Sequence, residues 1–110
     1  MEITTRPAGR SIEIHVTGIV GRIRDADAII QALENAAEQN PGTSIRLVFA
    51  DTFTIPSRLI GALLNMIRND GMIIEVIPLE RMLHQLLERL NLLDLLNVTF
   101  APAPVPAERR

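Results

Sequence analysis

The sequence predicts an α/β domain in which a mixed sheet of four to five strands carries its helices packed on one face. Two observations predict this class. Short stretches in which apolar residues recur every second position alternate with longer stretches of helical period, in the order strand, strand, helix, strand, helix, strand, helix, strand. Turn-forming clusters, Pro7-Ala8-Gly9, Asn40-Pro41-Gly42 and Asn69-Asp70-Gly71, separate them. A strand–helix–strand crossover gives parallel neighbours and an opening hairpin an antiparallel pair, so the sheet is mixed. At 110 residues, 47% of them hydrophobic, the chain is the size of one domain able to bury about two-thirds of its unfolded surface.

Residues 1–10 supply a first strand, turned back at Pro7-Ala8-Gly9 into a hairpin. In the second strand, residues 11–17, Ile12, Ile14 and Val16 face inward, whereas Ser11, Glu13, His15 and Thr17 form a wet face. From Asp25 the period becomes helical through Ala26, Ile29, Ile30, Leu33, Ala36 and Ala37, with Asp25 and Asp27 near the positive end of the helix. A core strand follows with Ile45, Leu47 and Phe49 inward. A second helix beginning near Pro56 carries the stripe Leu59, Ile60, Leu63, Leu64 and Ile67, and Gly71 suits its left-handed cap. Residues 72–77 form a strand covered on at least one face. In the third helix Met82, Leu83, Leu86, Leu87 and Leu90 point inward, and Glu80 and His84 are spaced to pair on its surface. A leucine-rich segment and a last strand at 97–100 complete a single domain over 1–100. Residues 101–110 are rich in proline and alanine and read as an extended tail.

Composition narrows the function. The chain has no cysteine and no lysine, and its net charge of −2 is spread along the sequence, which argues against thiol chemistry, a lysine-bearing phosphate loop and a nucleic-acid partner. Three phenylalanines, Phe49, Phe53 and Phe100, are too few for a base-stacking platform. No apolar run approaches the ~20 residues of a membrane span, and no secretory signal opens the sequence, so the expectation is a cytoplasmic protein without direct membrane insertion. His15 and His84 lack partners at metal-ligand spacing and read as surface residues. No cofactor, metal site or catalytic constellation is indicated, and an enzyme is not expected.

Ser57 stands out because Pro56 starts a helix and leaves the serine in its first turn, where free N–H groups and the helix dipole favour an added anion. The plain alternative is a serine suited to local hydrogen bonding. The stretch from Ile45 to Leu64 resembles the core of the STAS domain, the fold of bacterial anti-sigma-factor antagonists. Those proteins have an alternating strand, a short loop and an Asp-Ser-Ser/Thr-Gly motif opening an apolar helix. Ser57 falls on the serine that the switch members of that family phosphorylate. The resemblance extends over about residues 2 to 100, including the last helix and its leucine segment. The motif itself is degenerate: Pro56 replaces its aspartate, Arg58 its second hydroxyl residue and Leu59 its glycine, and Gly21 stands where a typical member has another aspartate.

What the resemblance implies is a non-enzymatic regulatory module that binds a protein partner, an ATPase-like anti-sigma factor or serine kinase, with Ser57 as the phosphorylation candidate. Its docking face would comprise Thr54, Ser57, Arg58, Gly61, Asn65 and Arg68, together with the loop after Gly18. Gly61 fits either close approach of a partner or close packing within the domain. The alternative is a non-switching structural subunit of a larger assembly, such as a signalling scaffold or lipid-transport complex. The oligomeric state is not readable from the sequence.

Overall fold

The computed structural model of the chain describes residues 1–102. Strand β1 (Glu2–Ala8) turns at Gly9, which has φ 64°, and pairs antiparallel with β2 (Ser11–Thr17). Helix α1 (Ile23–Gln39) leads to β3 (Ser44–Ala50), α2 (Ser57–Arg68) to β4 (Ile74–Pro78), and α3 (Arg81–Arg89) follows. The sheet order is β1-β2-β3-β4, with β2, β3 and β4 mutually parallel. The α/β class, the opening hairpin and the mixed sheet therefore form as their periodicities predict.

One face of the sheet makes the core. Ile14 and Val16 from β2, Ile45, Leu47 and Phe49 from β3, and Ile74 and Val76 from β4 pack against Ala26, Ile29, Leu33 and Ala36 of α1, Leu59, Leu63 and Met66 of α2, and Leu83 and Leu87 of α3. Fully burying such a side chain contributes roughly 1.5–3 kcal/mol, so this single cluster dominates the stability. The opposite face is mixed: the neighbouring Val48 of β3 and Ile77 of β4 are buried on it, beside a wet, charged cluster. Glu13 accepts hydrogen bonds from Arg6 at 3.3 Å and Arg46 at 3.1 Å, its Oε1 lies 2.8 Å from His15 Nε2, and Arg46 lies 3.6 Å from Glu75.

Several boundaries differ from expectation. α1 starts at Ile23, because the Asp25 carboxylate accepts hydrogen bonds from the Gly21 and Arg22 N–H groups and draws them into the helix entry. The start of α2 agrees with expectation, Pro56 being its N-cap and Ser57 its first residue. β4 begins at Ile74, with Ile73 exposed, and Met66 joins the core, which the predicted stripe omits. Met82 of α3 and Leu90, its C-cap, are 62% and 47% exposed instead of inward, because this nine-residue helix buries only the Leu83–Leu87 row. Among the described residues Glu80 and His84 share no side-chain bond; the His84 ring lies 5.2 Å from that of Phe100, over which Arg81 also sits.

The predicted last strand is reduced to a parallel bridge, Val76 to Val98. It is nevertheless tied along β4: Val76 N–H donates to Asn97 O, Thr99 N–H to Val76 O and Ala101 N–H to Pro78 O. Most of the predicted tail, residues 103–110, lies outside the described residues.

Candidate functional site

Two loops leave the carboxyl ends of the adjacent parallel strands β2 and β3, whose last residues Thr17 and Ala50 are paired. They are fastened together. Gly18 N–H donates to Ala50 O at 3.0 Å, and the fully buried Thr52 hydroxyl donates to Gly18 O at 2.8 Å, with Ala50 O at 3.2 Å. Asp51 takes the left-handed conformation, φ 56°, that Asp tolerates better than most residues, and this turns the chain out of β3. Ile55 is buried, so the loop is anchored at both Thr52 and Ile55 and presents Phe53 and Thr54 outward. Phe53 is nearly half exposed.

Helix α2 starts next. Pro56 contributes its carbonyl to the N–H groups of Leu59 and Ile60, and the first turn carries no acidic side chain. Ser57 is exposed at the first helical position, where the N–H groups of Ser57 and Arg58 have no helical acceptor. Arg58 donates from Nε to Asp27 Oδ1 of α1 at 2.6 Å, both side chains being about half exposed. A carboxylate thus already faces the guanidinium of Arg58, the residue next to Ser57 in the chain.

Thr54, Ser57, Arg58, Gly61, Asn65 and Arg68 are all exposed; on α2 Ser57, Gly61, Asn65 and Arg68 recur at three- and four-residue spacing, with Arg58 three before Gly61, hence on one helix face. A β-carbon added at Gly61 would meet no atom within 4 Å, which excludes packing within the domain as the reason for that glycine. A shallow depression of about 500 Å³ lies farther along, lined by Leu64, Asn65, Arg68 and Asn69.

The sequence reading missed the apolar component of this end. Ile19 and Ile23 are 74% and 71% exposed, one in the loop after β2 and the other at the first position of α1. Their signal was available: neither belongs to the helical stripe that begins at Ala26. It also missed Asp27 as the partner of Arg58. Among the described residues no three His, Asp or Glu side chains gather as metal ligands, and no helix is long and apolar enough to cross a membrane. The chain matches no family model and no curated protein.

Proposed function

We propose that this chain is a non-enzymatic, cytoplasmic protein-binding module of the STAS, anti-sigma-antagonist kind. It docks an ATPase-like anti-sigma factor or serine kinase on the outward face of α2 and the two adjoining loops. The observation that carries this reading is Gly61: a mid-helix glycine costs roughly 1 kcal/mol relative to alanine, and at an exposed position with open space around it no intramolecular contact offsets that cost. A partner approaching the backbone closely gives the glycine a purpose. Exposed Ile19, Ile23 and Phe53 at the adjoining end supply apolar area for such a contact.

Ser57 is the candidate switch within this face. Phosphorylation would add about −1.5 to −2 charges at a helix start, which the fold tolerates, while placing a group in the interface that must be paired or desolvated on docking. Ser57→Asp is expected to weaken partner binding and Ser57→Ala to retain it. Intact-mass analysis of protein from its native host across growth conditions, joined to the binding measurement, tests the switch. Absence of phosphate together with wild-type binding by Ser57→Asp sinks it.

A specific observation favours the second reading, a non-switching subunit of a larger assembly. Arg58, the cation best placed to meet a phosphate on Ser57, is already paired with Asp27. Native mass spectrometry of complexes from the source cell separates the two: a small complex with a kinase-like partner supports the switch module, a large assembly the subunit.

A further inference from the structure

The two edges of the sheet are finished differently. The outer side of β4 is covered by residues 97–101, whereas the outer side of β1 has no partner strand among the described residues. An open edge of seven residues is a template for another strand unless it is blunted.

The hairpin register determines which groups that edge presents. Ala8 and Ser11 are paired across a two-residue turn with Gly9 at φ 64°, the arrangement in which the flanking residues form a hydrogen-bonded pair. Alternation then directs the backbone groups of Glu2, Thr4, Arg6 and Ala8 toward β2, and those of Ile3 and Thr5 outward. Pro7 falls in the outward set, so its missing N–H takes nothing from the hairpin.

The side chains of β1 are self-complementary. A second copy of the strand, laid antiparallel about a two-fold axis at Thr4, sets Glu2 of each copy opposite Arg6 of the other and Thr4 opposite Thr4. Ile3 then faces Thr5 in a pair that exchanges both of its N–H to O bonds, once on each side of the axis. Opposite charges and paired threonines are favourable cross-strand neighbours. Arg6 is 62% exposed while contacting Glu13, so its guanidinium keeps open donor positions. Slipping the register by two residues toward the turn would bring Pro7, with no N–H to give, opposite Ile3 and would separate the charges.

We propose that the chain self-associates through β1 as a two-fold, antiparallel dimer in this register, continuing the sheet across the interface. The contact uses the edge remote from α2 in strand order and is independent of the docking face described above. It is a second copy of this chain, rather than a strand of another protein, that the Glu2/Arg6 complementarity selects.

Sedimentation of the full chain over a wide concentration range tests this. The wild type is expected to move reversibly from its 12.2 kDa monomer toward twice that mass. Glu2→Arg, which sets like charges opposite each other at both ends, is expected to raise the dissociation constant about tenfold or more, and the swap Glu2→Arg with Arg6→Glu to restore it. Thr5→Pro removes an outward N–H that β2 does not use, and is expected to abolish the dimer while leaving a cooperative melting transition. A monomer at every concentration, or a dimer indifferent to both Glu2→Arg and Thr5→Pro, would overturn the proposal.

Discussion

Glu13 sits between three basic side chains on the wet sheet face, and its carboxyl is held below the usual carboxylate range. The hydrogen bond with His15 is the main cause; burial works against it, and the hydrogen bond from Arg6 and the charges of His15 and Arg46 add to it. Its folded state therefore binds a proton less readily than its unfolded state. The stabilisation is complete above the unfolded pKa of about 4.3 and is lost as pH falls through the lower folded value. Melting temperature measured from about pH 7 down to about pH 3 should fall on the acid side for the wild type and fall less steeply for Glu13→Gln. Equal slopes would show that the cluster contributes nothing to acid sensitivity. Gly61→Ala should instead raise stability by about 1 kcal/mol in urea unfolding, since the new methyl meets open space and the helix gains a better former. Single residues were unevenly legible. That His15 and Glu13 share the wet face follows from alternation, but the buried hydroxyl of Thr52 could not be read, because its value lies in reaching Gly18 O, thirty-four residues away.

The helices show where periodicity stops being informative. α2 exposes Ser57, Arg58, Gly61, Asn65 and Arg68 as its stripe implies, because twelve residues define a face three turns long. In α3 the apolar positions 82, 83, 86, 87 and 90 span two adjacent rows, and only packing beside β4 decides that Leu83 and Leu87 are covered. Leu63→Ala and Leu87→Ala are each expected to lose about 2 to 5 kcal/mol, as both are fully buried. Met82→Ala should change stability by no more than about 0.5 kcal/mol. Chemical denaturation of the three variants checks this, and a large loss at Met82 would mean that α3 is rotated from the orientation described. The weak last strand has a similar origin. Val76 makes both bonds of a parallel bridge, to Asn97 O and from Thr99 N–H, but Pro78 has no N–H to give Thr99 O, so the ladder stops there although the apolar pattern is strand-like.

For the whole molecule, the α/β class, the opening hairpin and the parallel crossovers were legible because the alternation of periods and the turn clusters between them fix each connection. At the proposed docking end the helix start at Pro56 and Ser57 was legible, whereas Ile19 and Ile23 were signalled only by lying outside every apolar period. Together they form one end of the molecule, held rigid by Thr52 and bounded by the Arg58–Asp27 pair. This end and the outward face of α2 are proposed to engage a protein partner. Quantitative affinity capture from the native host tests it most directly, comparing the wild type with Gly61→Arg and Arg68→Glu after both variants are shown to melt like the wild type. A discrete set of proteins is expected to be retained by the wild type and strongly depleted from both variants. Equal retention of the same proteins by all three would contradict it.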